Sequence, residues 1–503
     1  MGNDFTLLWP EMMVAGLAFS VLAVNFITPS DRKVLLGYLS AVGLAGTLVF
    51  TLFYSWGTDT TIYGGLLRVD DFSLFFKVVF LLAGVLVALT SIEYVRRYLE
   101  HPGEYYGILL LIVLAAMLIA SSGELLTAYI SLELLSFGLY VLVSVDRYNP
   151  KSNEAATKYI LLGALSSGFV LYGISQVYGH LGTTHFQGIG EALTITDQLG
   201  PGLFIGIVMI IAGLGFRVAA VPFHMWAPDA YEGAPTPVAA YLAVGSSATV
   251  FALILRFFVE ALVPTAAEWQ PLIVGLAVMT MLLGNLVAIA QSNLKRLLAY
   301  SSIGHAGYLL MGVAALVEVG DGGLLIFDRT HLATNAVMFH IVAYSVTNMA
   351  AFFVVTTVYN AIESEELEGL AGLGSRAPGL AMVLTVALFS LAGLPIFAGF
   401  ISKFYLFTAV AAQDLLWLAG LAILMSLVSL YCYLRVVRQI YIQKTNDPVP
   451  IPVPRATSGV MALLLLGMVL IGIYPTPLME FIQNASDSLL SAETILRLGQ
   501  SLR

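Results

Sequence analysis

The chain has 503 residues, 59% hydrophobic and only 11% charged, with a mean hydropathy of +0.90. Soluble domains carry about 25% charge, so composition excludes a soluble fold and points to an all-α integral membrane protein. The net charge of −9 forms no basic stripe that suggests nucleic acid, and the single cysteine, Cys432, excludes an intrachain disulfide, a cysteine-ligated zinc site and an iron–sulfur cluster.

No GxGxxG or Walker pattern occurs, which argues against nucleotide binding. The first apolar run follows no basic segment and no cleavage site, so it reads as a retained helix rather than a signal peptide. A spanning helix needs ~20 mostly apolar residues, and on that ruler the chain holds about fourteen. The first three cover 8–27, 34–56 and 72–95. Five follow at 105–121, 124–145, 155–178, 203–225 and 237–259. Five more lie at 271–289, 297–317, 331–359, 379–411 and 415–441, and a last at 457–474. The stretch 379–411 is too long for one straight crossing.

Lysine and arginine in short loops set orientation. Arg32, Lys33, Arg96, Arg97, Arg147, Lys151, Lys295, Arg296, Arg376, Arg435, Arg438, Lys444 and Arg455 fall on one side. The other side carries Arg68, Arg329, Arg497 and Arg503. Both termini are therefore expected outside. The acidic loop 361–378 is inside, which a rule that counts cations alone permits.

Two spans are interrupted. One places Arg217, Pro222 and His224 within eight residues at the end of an apolar run. The other, five spans later, joins Leu394, Pro395 and Gly399 to Lys403. An odd separation makes the two run in opposite directions, the pattern of inverted-repeat transporters with sites at the breaks. Charges in hydrocarbon are costly and face a protein interior or water. Candidates are Glu11, Lys77, Glu133, Lys158, Arg217, His224, Arg256, His305, His340 and Lys403. Glu133 and Lys403 lie far from helix ends and cannot snorkel, which leaves a proton-carrying role or a structural ion pair. Lys77 and Arg256 read as snorkelling residues. Lys158 is open. His224 either caps freed carbonyls or relays a proton. His305 reads as a packing residue or a relay, and His340 as a weaker candidate. Glu133, Lys158, Arg217 and Lys403 together suggest a row of charges for ion or proton transfer.

The stretch Val221-Pro222-Phe223-His224-Met225-Trp226-Ala227-Pro228-Asp229-Ala230-Tyr231-Glu232-Gly233-Ala234-Pro235-Thr236-Pro237 resembles a signature of the antiporter-like proton-translocating subunits of respiratory complex I. Asn293-Leu294-Lys295-Arg296-Leu297-Leu298-Ala299-Tyr300-Ser301-Ser302-Ile303 is similar to a second signature, and Gly399-Phe400-Ile401-Ser402-Lys403-Phe404 to a third. The resemblance runs from the second span to the last. It implies two inverted five-helix repeats, 104–260 with its broken helix at 203–225 and 270–441 with its broken helix at 379–411. An N-terminal three-helix segment, 1–97, and a last helix with tail, 456–503, flank them.

It also implies roles. Glu133 matches the fifth-span glutamate that pairs with a seventh-span lysine, Lys403 the twelfth-span lysine, and His305 the tenth-span histidine. Lys158 and Lys295 match further basic positions. Two positions depart. Arg217 stands where the family pattern has lysine, and arginine does not deprotonate in proteins. Gly245-Ser246-Ser247 stands where the pattern reads Gly-Ser-Lys, so Ser247 leaves no charge; hydroxyl-held water or His305 is the expected substitute. The resemblance implies redox-coupled proton transfer in a bacterial inner membrane, with no redox cofactor in this chain. NADH or another donor, FMN, iron–sulfur clusters and quinone belong to other subunits. The expected partners are other membrane-arm and peripheral subunits and membrane lipid. Rivals are a cation/proton antiporter subunit, a non-pumping structural subunit and a donor-driven relative such as a membrane hydrogenase.

Overall fold

Backbone polar groups cannot go unpaired in hydrocarbon, and this chain satisfies them almost wholly by helix. The computed structural model describes residues 4–29, 32–54, 56–196, 199–319, 325–326, 330–444 and 450–490. Arg329, Arg497 and Arg503 lie outside these described residues.

After a single turn, α1 (Asp4–Leu7), three long helices form the N-terminal segment: α2 (Trp9–Ile27), α3 (Val34–Phe53) and α4 (Asp71–Tyr98). A short antiparallel hairpin, β1 (Thr60–Ile62) and β2 (Leu67–Val69), leads into α4. Asp70 starts α4 with a reciprocal capping box to Ser73, and Arg96 and Arg97 lie in its last turn, favourable ends for the helix dipole. Next come α5 (Pro102–Ala120), α6 (Leu125–Val143), α7 (Pro150–Leu181), the short α8 (Phe186–Ile195), α9 (Pro201–Arg217) and α10 (Trp226–Gly233). Asn149 caps α7, and Gly182 ends it with φ +71.

One helical run, Thr236–Ala288, is more than long enough for two crossings. It contains α11 (Thr236–Tyr241), a π turn at Leu242–Ser246, α12 (Ser247–Phe257) and a second π turn at Phe258–Leu262. A 3-10 turn at Val263–Thr265 then leads into α13 (Ala266–Ala288). The chain continues through α14 (Leu294–Ala314), a two-residue-per-strand hairpin, β3 (Glu318–Val319) with β4 (Leu325–Ile326), and α15 (Thr330–Ile362). Last come α16 (Leu373–Arg376), α17 (Pro378–Ala392), α18 (Ala398–Ala411), α19 (Leu416–Tyr441), α20 (Arg455–Ile473) and α21 (Thr476–Leu489).

Helices α14 and α15 are buried almost throughout, whereas α2, α3 and α20 expose apolar faces such as Phe19, Val42 and Leu466. Lipid is as apolar as a protein core, so helices here associate through close packing rather than hydrophobic exclusion. Glycines allow it. A Cβ on Gly173 of α7 would sit 2.6 Å from Gly206 O of α9, and one on Gly284 of α13 would sit 2.5 Å from Gly304 N of α14.

The helices follow the spans read from hydropathy, with additions outside them: the short α8 and α21, and α10, where helix resumes beyond the seventh span's expected end at residue 225 and runs through Gly233. Polar Asp229 and Glu232 hid that helix from a hydropathy ruler. They face basic partners, as shown below.

Candidate functional site: two interrupted helices and their buried cations

The first interruption follows Arg217. Ala219 adopts φ +54, which a non-glycine residue takes only when its surroundings impose it, and Pro222 has no N–H to extend the ladder. The carbonyls freed at the end of α9 find other donors. Ser166 Oγ reaches Gly213 O at 3.0 Å, Ala220 N reaches Gly215 O at 2.8 Å, and Trp226 Nε1 reaches Phe216 O at 2.8 Å. His224 takes no part at these three carbonyls, and its ring lies against the backbone of Pro222. Its Nδ1 is buried and meets no partner among the described residues.

Arg217 is the last residue of α9, at the negative end of that helix dipole. Its Nη2 donates to Glu133 Oε1 at 2.6 Å and to Ser167 Oγ at 3.2 Å. Its Nη1 donates to Leu132 O at 3.2 Å and to Ser136 Oγ. Ser167 Oγ donates to the same Glu133 oxygen at 2.6 Å. Glu133 sits in mid-α6 and Ser136 one turn on, so one helix face supplies both. The Arg217 side chain is 6% exposed and that of Glu133 18%. The acid keeps access that the base lacks.

The second interruption has the same logic in different residues. α17 ends at Ala392, Gly393 turns left-handed at φ +83, and Pro395 lies in the gap before α18. Gly399 lets α18 start against α17, since a Cβ there would lie 1.7 Å from Ser390 O. Lys403 reaches back to cap the broken end, donating from Nζ to Leu391 O at 2.8 Å, Ala392 O at 3.2 Å and Ser426 Oγ at 2.7 Å. The ammonium lies 4.8 Å from the centroid of the Tyr308 ring, a cation–π contact. Lys403 is 3% exposed, and among the described residues no carboxylate lies within ion-pair distance of it.

A chain of polar groups continues from there. Ser402, beside Lys403, holds His340 Nδ1 at 3.1 Å, and His340 Nε2 lies 3.2 Å from His305 Nδ1. His305 therefore belongs to a buried imidazole pair. His340, the weakest histidine by sequence, is its other half; α14 and α15 pack side by side, which nothing in their spacing reveals.

Lys158 does not join a row with Glu133 and Arg217. Its Nζ pairs with Asp229 at 2.7 Å and Glu154 at 2.8 Å, and the side chain is 45% exposed. Lys295 is buried, donating to Ala234 O at 2.7 Å and to Glu365 at 2.7 Å. Arg296 bridges Asp229 at 2.8 Å and Glu232 at 2.9 Å. Two of the sequence signatures thus dock onto each other. The Asp229–Ala234 stretch receives both Lys295 and Arg296, which fixes α10 beyond the break. Ser247 is half-buried at the start of α12, directly after the first π turn.

Two residues read as snorkelling are corrected. Lys77 is fully buried and pairs with Glu11 at 2.7 Å. Arg256 is also fully buried, bound to Asp70 at 2.7 Å and Glu260 at 3.1 Å. Arg68 joins the same cluster through Glu260 at 3.0 Å and Asp59 at 2.8 Å. Position near a helix end suggested a route to headgroups. Carboxylates on neighbouring elements and, for Arg256, one four residues on in its own helical run remove the need for one.

The fold and these buried acid and base groups define a class: an antiporter-like, multi-pass membrane subunit. Residues 122–429 match the family described as NADH:quinone oxidoreductase/Mrp antiporter, TM, and the chain belongs to that family. Among its relatives, the NADH-quinone oxidoreductase subunit N of Moorella thermoacetica is 42% identical over 95% of this chain and 98% of its own length. The subunit N of Heliobacterium modesticaldum is 41% identical over 97% of this chain and 100% of its own. A chain of respiratory complex I from Thermus thermophilus, solved with bound aureothin, has a TM-score of 0.77 at 29% identity, covering 94% of this chain and 98% of that one. A chain of the Mrp complex from a Dietzia species has a TM-score of 0.85 at 18% identity and covers 100% of both chains, a likeness of fold alone.

Proposed function

We propose that this chain is a proton-translocating membrane subunit of an NADH-quinone oxidoreductase of the complex I type. The observation that carries the reading is the lone buried lysine at the second helix break, Lys403, matched at the first break by the Glu133–Arg217 pair. The relatives named above supply the identity of the assembly.

In this reading the two breaks belong to inverted repeats spanning 104–260 and 270–441, and both termini face outside the bacterial inner membrane. Quinone reduction in another subunit shifts charge along the polar axis of the membrane arm. The Glu133 carboxylate exchanges a proton while Arg217 keeps its charge and tunes that exchange. Lys403 both holds a proton and caps the broken end of α17. Loss of the proton weakens the capping of Leu391 O and Ala392 O, so protonation and helix-end geometry are coupled. The donor site, FMN, iron–sulfur clusters and quinone lie on partner subunits. His224, Ser247, Lys295 and His305 line or support the route, and Lys158 holds α10.

The test is donor-driven quinone reduction and proton translocation measured together in membranes carrying Glu133→Gln, with assembly followed on a native gel. A fall of about tenfold in both activities, in an assembled complex, is expected. Wild-type activity in both would overturn the reading and leave a structural subunit.

A further inference from the structure

We infer that a proton entrance opens from the inner face directly into the second half of the molecule, leading from an acidic cavity beside Glu365 through Tyr231, Ser302 and Tyr344 to the His305–His340 pair. The inference rests on the proton-translocating reading above and deepens it by naming a route of entry.

The cavity is about 260 Å3 and is lined by Asp146, Glu232, three carboxylates of one loop (Glu363, Glu365 and Glu366) and the lysines Lys151 and Lys295. Carboxylates at a surface are ordinary. What lies behind these is not. Tyr231, next to cavity-lining Glu232, is buried and interacts with Ser302 of α14. Ser302 Oγ receives the Tyr344 hydroxyl at 2.7 Å, and the Tyr344 oxygen receives Asn348 Nδ2 at 2.7 Å. The Tyr344 ring lies 4.9 Å, centroid to centroid, from the His305 ring. Beyond it, His305, His340 and Ser402 lead to Lys403.

Two buried oxygens along this line have no partner among the described residues. They are Thr236 Oγ1, one residue past cavity-lining Pro235, and Asn348 Oδ1. Both are almost wholly buried, at 1% and 0% exposure. Buried polar atoms left without a protein partner are commonly met by internal water. Waters held there continue the hydroxyl chain to the cavity on one side and to His305 on the other.

The transfer balances at each group. Each hydroxyl accepts one proton and releases another, so its charge is unchanged and only its donor direction reverses. His305 takes the proton on one ring nitrogen, and the pair passes it on toward Lys403. The route also accounts for a missing part. With serine at 247 and a fixed charge at Arg217, neither of these positions offers a lysine to hand a proton to the second half, and a separate entrance makes that handover unnecessary.

The experiment uses the whole complex in proteoliposomes and counts protons moved and quinone reduced for Tyr344→Phe, Asn348→Leu, Ser302→Ala and, in parallel, Lys403→Met. Tyr344→Phe keeps the ring against His305 and removes only the hydroxyl, and Ser302→Ala breaks the same chain at small packing cost. An assembled complex slowed about tenfold by either is the expected result. If Tyr344→Phe and Ser302→Ala both pump at wild-type rate while Lys403→Met does not, this entrance is wrong and the proton-translocating reading stands. If Lys403→Met also pumps normally, the reading itself fails and the entrance fails with it.

Discussion

The two interrupted helices solve one problem with different cations. At the first, Arg217 ends α9 and is locked to Glu133, Ser136, Ser167 and a backbone carbonyl. At the second, Lys403 caps α17 and Ser426 with no acid beside it among the described residues. A guanidinium keeps its charge under all physiological conditions, whereas a buried ammonium gives up a proton readily. The first break is therefore a fixed charge beside a titratable acid, and the second a titratable base beside fixed dipoles. Of the two breaks, the second is the one whose cation can change charge.

That contrast can be broken by exchanging the cations. Lys403→Met should have the largest effect, lowering coupled quinone reduction by about a hundredfold, the scale seen when a positioned proton-transfer group is removed. Native-gel assembly checks that the loss is functional. Glu133→Gln should come next, at about tenfold, because Arg217 then lacks its acid but retains three other acceptors. Arg217→Lys restores an acid–lysine pair and should leave at least about half the activity; a deeper loss would mean that the bidentate reach of arginine matters more than its charge.

The buried cluster of Arg68, Asp70, Arg256 and Glu260 sharpens the comparison from the side of stability. Asp70→Asn strips the main partner from fully buried Arg256 and should cost about 3–5 kcal/mol, the scale for breaking a buried pair, read as loss of assembled complex on heating in detergent. Lys158→Ala should do least. Its partners are partly exposed, and such pairs contribute ~0–1 kcal/mol, so a change in activity under about twofold is expected. A larger fall would show that Lys158 does more than hold α10.

Much of this architecture was legible in the sequence because hydrocarbon imposes a simple ruler. Apolar length predicted the spans, and Pro222 and Pro395 marked both breaks, since neither can extend a helix. Glu133 and Lys403 were visible as charges too far from helix ends to snorkel, and Arg217 as a charge beside a helix-breaking proline. What stayed hidden depended on which helices touch. Nothing near Lys77 along the chain announces Glu11, and nothing near Arg256 announces Asp70, although Glu260, four residues on, was a legible partner for Arg256; both cations were misread as snorkelling. His340 was undervalued because its partners, His305 and Ser402, come from two other helices. Ser136 was the exception: a hydroxyl three residues after Glu133 lies on the same helix face and was available to inspection. The roles of the Asp229–Ala234 and Lys295–Arg296 signatures needed three dimensions, because each motif is the other's partner.

The most direct test of the central claim replaces Lys403 with arginine, which keeps a positive charge and N–H donors but cannot lose a proton; its larger planar head makes native-gel assembly part of the readout. Donor-driven proton translocation by the reconstituted, fully assembled complex carrying Lys403→Arg is the quantity to measure. The account predicts translocation below about a tenth of wild type, with quinone reduction falling in step. Translocation at the wild-type rate would contradict it, because a fixed charge would then serve at the second break as it does at the first.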